Sequence, residues 1–260
     1  MKLSHFIFGC SLTALTAASN AGVIYSEGFE GDDNTWSAYT NPVVNTSSGA
    51  ITASDGNNYG LIDVSGGGQT GAYTFFGGEN TVFGNGFSTS LDVYIDPTAW
   101  AVGDGFDYTS AANGQVPGSH VRDFIFNAGK TANNGFVING SNGSKFDFNE
   151  GDLINSDYYE VTTAGWYTLE HVFYNLGGVL AVDFNILNGA GALLHSETRS
   201  DAADDIATVV GGNRYGWVTY TDMSLAIDNS TLTTSEVPEP STLAIFALGM
   251  IGLASRRFKK

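Results

Sequence analysis

Residues Phe87 to Asp96 alternate without a break. Phe87, Thr89, Leu91, Val93 and Ile95 fall on one face, and Ser88, Ser90, Asp92, Tyr94 and Asp96 on the other. Period two with one polar face is the pattern of a half-buried β-strand, and Pro97 ends it by removing a backbone donor. The same pattern recurs at Trp166 to Tyr174, Val179 to Leu187 and Ala192 to Thr198, separated by Leu176-Gly177-Gly178 and Asn188-Gly189-Ala190-Gly191. These spacers are hairpin connections, so the three segments are read as an antiparallel meander. Leu180, Val182, Phe184 and Ile186 mark the buried face of its middle strand.

Shorter segments predict further strands: Val23 to Phe29, Gly60 to Val64, Ala72 to Phe76, Asp123 to Asn127, Phe136 to Asn139, Lys145 to Phe148, Tyr158 to Thr162, Gly216 to Tyr220 and Met223 to Asp228. Residues Asn139 to Gly143 are expected to turn. Asp201 to Val209 predicts a short helix, with Asp201, Asp204 and Asp205 near its start, where acidic groups suit the helix dipole. A dozen short strands in one domain imply two packed sheets. The fold class expected is all-β, an antiparallel two-sheet sandwich. Trp36 and Trp166 are read as core residues, and His171 as packed among Tyr167, Leu169 and Phe173 on one strand face.

Both ends carry address-like segments. Lys2, the apolar stretch Phe6 to Ala18 and Ser19-Asn20-Ala21 have the order of a secretory signal peptide, with cleavage after Ala21. Cys10 is the single cysteine and lies inside that segment, so the exported body has neither disulfide nor thiolate chemistry. A lipoprotein reading through Cys10 leaves almost no apolar stretch ahead of it. At the other end, Val237-Pro238-Glu239-Pro240 is followed by the apolar run Leu243 to Ala254 and by Arg256, Arg257, Lys259 and Lys260. The run is shorter than the roughly 20 apolar residues of a spanning helix and needs its flanks to cross. The basic residues would stay cytoplasmic. Residues 1–21 are thus a signal peptide, 22–231 a sandwich domain, 232–237 a flexible linker and 238–260 a sorting segment.

The Pro238-Glu239-Pro240 triplet, short membrane segment and terminal basic cluster resemble the PEP-CTERM sorting signal of Gram-negative bacteria. That resemblance implies signal peptidase and an exosortase-type transpeptidase as processing partners. It implies a precursor in the inner membrane with its body on the periplasmic side, then a surface or extracellular-matrix protein associated with exopolysaccharide and biofilm. An ordinary C-terminal anchor is the alternative. Tyr25 to Trp36 and Ser224 to Asn229 look like the first and last strands of concanavalin-like and carbohydrate-binding-module jelly rolls. In those folds the terminal strands pair, and many hold a structural calcium near that junction.

Charge limits the partners. From Gly22 to Glu236 there are five basic residues against 26 acidic ones, a net charge of −21. Such a body has no clustered Lys and Arg for nucleic acid phosphates. Acidity could recruit divalent cations or serve only solubility. If the terminal strands pair, Glu30, Asp32 and Asp228 could converge on calcium with backbone carbonyls, though no Asp-x-Asp-x-Asp-Gly loop occurs. Trp100, Tyr108 and Trp217 could offer flat rings to a glycan. Trp100 is the most suggestive, because it follows the Pro97 strand end in a Gly/Asp-rich loop, where binding residues concentrate. Glu160 and Glu170 stand out as carboxylates for hydrolysis, but no glucanase Glu-x-Asp-x-x-Glu motif, His-Glu-x-x-His or Gly-x-Ser-x-Gly motif occurs. The reading is a non-catalytic surface or matrix protein, with a carbohydrate-binding module as the alternative and a glycoside hydrolase or lyase behind it.

Overall fold

The computed structural model describes residues 22–31, 34–38, 43–47, 49–64, 70–114, 118–143, 148–206 and 210–234. In chain order the elements are β1 (Gly22–Glu27), β2 (Ser37–Ala38), β3 (Val43–Thr46), β4 (Tyr59–Ile62), β5 (Thr70–Thr74), β6 (Gly86–Ile95), β7 (Gly105–Asn113) and β8 (His120–Lys130). They continue with β9 (Phe136–Asn142), α1 (Glu150–Leu153), β10 (Tyr159–Val161), β11 (Gly165–Leu176), β12 (Val179–Asn188), β13 (Leu193–Asp205), β14 (Asn213–Thr221) and β15 (Leu225–Thr234). Two antiparallel sheets result. Sheet A runs β13-β12-β11-β6-β15-β4-β3, with β1 also on β15, and sheet B runs β10-β9-β8-β7-β14-β5-β2.

The chain is an all-β jelly-roll sandwich, and the alternation explains why. In sheet A, Leu91, Leu169 and Ile186 are cross-strand partners, all at most 1% exposed. Partners share a face, so each strand adds one apolar row to the inner side. Phe87 stacks on Phe173 at 4.3 Å two rows along, beyond Thr89 and His171. Sheet B supplies Phe106, Phe124, Phe126, Phe136 and Ile138 from the opposite side. The layers meet where Phe124 sits 5.3 Å from Phe173 and Phe126 5.0 Å from Phe184, both edge to face. That geometry suits the ring quadrupoles. The expected meander is β11-β12-β13, and the terminal strands β1 and β15 pair, Gly22 opposite Thr234.

Several local expectations are corrected. Residues 201–205 are not helical; they complete β13, whose register on β12 slips between Ser200 and Asp205. Arg122 of β8 explains it. Its Nε and Nη2 donate to Asp204 at 2.7 and 2.9 Å, and Nη2 lies 3.1 Å from Asp201. The acids expected to start a helix instead clamp the edge of sheet A to sheet B. Residues 139–142 do not turn but continue β9. Strand β15 runs to Thr234, taking in residues 232–234 that were expected to be linker. Strand β7, central in sheet B, has no counterpart among the expected strands. Residues 145–147, part of one expected strand, lie outside the described residues, as do the signal peptide, Pro238, Glu239, Pro240 and the apolar and basic tail through Lys260.

Trp166 is also not a core residue. It stands on the outer face of sheet A, its ring 5.6 Å from Tyr94 and 6.2 Å from Tyr59, and its indole N–H donates to the Thr52 carbonyl at 2.8 Å. This pins the 51–58 segment across the sheet. Among the described residues, no helix is long and apolar enough to cross a membrane.

Candidate functional site

Of the three rings expected to meet a glycan, two are in the core. Trp100 is 6% exposed, with Phe136 at 5.3 Å and Phe106 at 5.8 Å. Tyr108 is completely buried on the inner face of β7, parallel to Phe126 at 6.5 Å. Neither can present a face to solvent. Trp217 alone of the three is at the surface, half-buried on the outer face of β14.

Trp217 has neighbours that the sequence did not connect. In the β5–β14 pair Trp217 stands opposite Tyr73, and the next outward positions are Phe75 and Tyr215. The four rings form a block two strands wide. Tyr73 and Phe75 meet edge to face at 5.5 Å, and Tyr215 and Trp217 at 6.3 Å. With Glu79 and Arg214 they line an open groove of about 350 Å³. On the adjoining strand β7, the partners of Trp217 and Tyr215 are Thr109 and Ala111. Thr109 and Ala111 are themselves buried, so the groove is walled by the four rings alone with Glu79 and Arg214.

The backbone holds this wall in place. Gly78 N–H donates to Phe75 O at 2.9 Å, closing a turn whose central residues Phe76 and Gly77 have φ of 53° and 79°. Two positive φ angles make the mirror-image hairpin turn. For phenylalanine this backbone costs about 1–3 kcal/mol. It is held by burial of the Phe76 ring, which lies edge to face with Tyr25 at 5.6 Å and fills the space over Gly216. The consequence is that Phe75, at 47% exposed, stands outward beside Tyr73. Gly71 lies directly beneath the Trp217 indole nitrogen, where a Cβ would collide with it.

The polar groups at the rim are positioned too. Tyr215 donates its hydroxyl to Asp123 at 2.8 Å, and Arg214 Nη1 donates to Asn113 Oδ1 at 3.1 Å while lying 3.8 Å from Glu79. The far half of the same sheet face is covered. Asn139 Nδ2 donates to Leu153 O at 2.8 Å, and Leu153 of α1 is fully buried over Gly129. Asn127 Nδ2 joins Asn139 Oδ1 at 3.2 Å and Ser141 Oγ at 3.1 Å beneath it. Sheet B therefore leaves its outer face open at the β5–β14 end.

Two of the three expected calcium ligands are engaged by backbone N–H groups. Glu30 accepts from the backbone N–H groups of Asn57 and Asn58 at 2.8 and 2.7 Å, which holds its carboxyl below the usual range. Asp228 accepts from Ser54, Asp55 and Asn229 N–H groups at 2.9, 3.3 and 2.8 Å. Both carboxylates hold the 51–58 segment rather than facing each other across an ion. Asp32 lies outside the described residues. Among the described residues, no group of three or more His, Cys, Asp or Glu side chains is placed to hold a metal ion. Glu160 and Glu170 are on different sheets, Glu160 in β10 and Glu170 in β11, where it accepts from Asn185 Nδ2 at 3.0 Å. They form no pair.

Comparison with known proteins agrees on tail and fold. Residues 236–260 match the PEP-CTERM protein-sorting motif. No curated protein matches the chain. Among solved structures, peanut lectin bound to a 9mer peptide is similar with a TM-score of 0.50 at 10% identity, covering 85% of this chain and 100% of that one. A carbohydrate esterase of Shiga toxin-encoding bacteriophage phi24B is similar with a TM-score of 0.50 at 11% identity, covering 84% of this chain and 100% of that one. Identities this low speak for the fold alone. The body is a jelly-roll sandwich similar in fold to these structures, and residues 236–260 match the PEP-CTERM protein-sorting motif.

Proposed function

We propose that this is an exported, PEP-CTERM-sorted protein that holds extracellular polysaccharide on the outer face of sheet B and does no chemistry on it. The observation that carries this reading is the block of Tyr73, Phe75, Tyr215 and Trp217 around an open groove with polar groups at its rim. Aromatics at the surface cost solvation, and four together on one rigid sheet, Phe75 exposed and Tyr73, Tyr215 and Trp217 half-buried, mark a site for a ligand with apolar faces and polar edges. Sugar rings have that character: C–H groups on their faces and hydroxyls at their edges. The neighbours named a lectin and a carbohydrate esterase point the same way without carrying an activity.

The tail supplies the route. Signal peptidase removes residues 1–21. Leu243 to Ala254 holds the precursor in the inner membrane, with Arg256, Arg257, Lys259 and Lys260 as the cytoplasmic stop. An exosortase-type transpeptidase then cuts near Pro238, Glu239 and Pro240. The body passes to the cell surface or the matrix, where exopolysaccharide is its partner. The test is retention. In producing cells, a Trp217→Ala, Tyr73→Ala double variant is expected to be exported and processed like the parent but to wash out of the matrix into the medium. Equal retention of a folded variant contradicts the reading.

A further inference from the structure

We infer that the polysaccharide taken by the β5–β14 groove is uncharged. This rests on the reading of that groove as the binding face and names its ligand class.

The first argument is the disposition of the cations. An anionic polysaccharide needs arginine or lysine free to meet its carboxylates or sulfates, and Arg is the usual residue for that fork-like contact. The body has five basic residues, Arg122, Lys130, Lys145, Arg199 and Arg214. Arg122 is bound to Asp204 and Asp201, and Arg199 lies 3.1 Å from Glu197. Lys130 donates to the Pro97 carbonyl at 3.1 Å. Lys145 lies outside the described residues. The one cation in the groove, Arg214, is balanced there by Glu79 and held by Asn113. The groove itself is thus neutral in sum, and beyond its Tyr215 rim Asp123 is shared between the Tyr215 hydroxyl and His120, whose Nε2 lies 3.0 Å away.

The second argument is the field around the groove. A body of net charge −21 repels a polyanion on approach. Screening at physiological salt acts over about 8 Å, so at contact the balance of Arg214 against Glu79 decides, and it leaves no cation in excess for a polyanion. An uncharged chain meets no such barrier. Its hydroxyls both donate and accept, which suits the mixed set of Glu79, Asp123, Asn113 and Arg214. Its C–H faces suit the negative faces of the rings.

Affinity electrophoresis of the purified protein tests this, in gels holding one polysaccharide each: hydroxyethylcellulose, dextran or xyloglucan as neutral chains, alginate or polygalacturonate as acidic ones. Each is run at low and high salt, with calcium and with chelator. The expected result is retardation by at least one neutral chain, weakened about tenfold or more by Trp217→Ala, and none by the acidic chains in any condition. Tyr73→Ala is run in parallel, and thermal melts confirm that both variants fold. Retardation by an acidic chain that Trp217→Ala abolishes, whether or not calcium is required, overturns the inference while leaving the groove as the binding face. No retardation by any chain, or retardation that neither variant changes, overturns the groove reading itself.

Discussion

Asp92 and Asp228 stand opposite each other across β6 and β15, two carboxyls side by side beneath the 51–58 segment. Asp92 is tied to Ser54 Oγ at 2.6 Å, Thr168 Oγ1 at 2.5 Å and Asn229 Nδ2 at 3.0 Å. Burial pushes the Asp228 carboxyl up to about 6, and the Asp92 charge adds to the shift, against backbone N–H groups that pull it down. Between about pH 4 and 6 the folded chain keeps a proton at Asp228 that the unfolded chain has released. Stability from this residue is therefore full in acid and lost as pH rises through that window. Asp228→Asn keeps an acceptor for Ser54 and Asp55, gives up the acceptor for the Asn229 N–H and removes the charge. It is expected to raise Tm at pH 8 by roughly 2–4 °C, the effect of 1 kcal/mol in a domain of this size, and to leave Tm at pH 4 nearly unchanged. Melts at the two pH values check this; a lower Tm at pH 8 contradicts it.

His171 works in the opposite direction. It is fully buried between the sheets, 4.7 Å from Phe126 and 4.9 Å from Phe184. Burial holds its imidazole down at about 3, partly offset by the Phe124 backbone. Between pH 6.5 and 3 the unfolded chain takes up a proton that the folded chain refuses, so stability is full above pH 6.5 and falls below it. The slope is about 1.4 kcal/mol per pH unit. His171→Leu removes it without removing much volume. Urea titrations at pH 7 and pH 5 are expected to show a smaller acid loss in the variant than in the parent; equal losses contradict the assignment.

Two tryptophans are predicted to separate folding from binding. Trp100→Ala opens a hole among Phe106 and Phe136 and is expected to cost about 3–5 kcal/mol while leaving polysaccharide affinity per folded molecule unchanged. Gly71→Ala does the converse. Its methyl displaces the Trp217 ring, so binding falls while the core stays intact. Chemical denaturation and affinity electrophoresis on the two proteins check the pair. Loss of binding in folded Trp100→Ala contradicts the placement of the site.

The tail predicts a mass. Protein from cells with their sorting transpeptidase is expected to start at Gly22 and end near Pro238–Pro240. Protein from cells lacking it is expected to keep Leu243 to Lys260 and stay in the membrane. Intact-mass spectrometry of both fractions decides it, and a form ending at Lys260 in the wild type contradicts sorting by cleavage.

What could be read from the residues followed the solvent. Strands with one wet face, such as β6, β11 and β12, announce themselves by alternation. Strand β7 is buried on both faces, and its alternation lasts only from Phe106 to Thr109 before the small residues Ser110, Ala111 and Ala112 end it, too short a period to mark a strand. With β7 missing, nothing placed Tyr108 in the core, and Trp100, which does lie between β6 and β7, lacked the Phe106 ring it is buried against. The aromatic block was hidden for another reason. Tyr73 and Phe75 are far from Tyr215 and Trp217 in the chain, and only the β5–β14 register brings them together. Trp217 was visible alone; its partners required the pairing. The acids at 201–205 misled because the partner that fixes them, Arg122, comes from the other sheet.

Hydrogen exchange mapped by mass spectrometry, with and without the uncharged polysaccharide that retards the protein most, tests the binding face most directly. Slower exchange confined to residues 70–78 and 213–221, with β11, β12 and β13 unchanged, is the result predicted. Protection on sheet A or along the 51–58 segment, with β5 and β14 unaffected, would contradict it and place the ligand elsewhere on the sandwich.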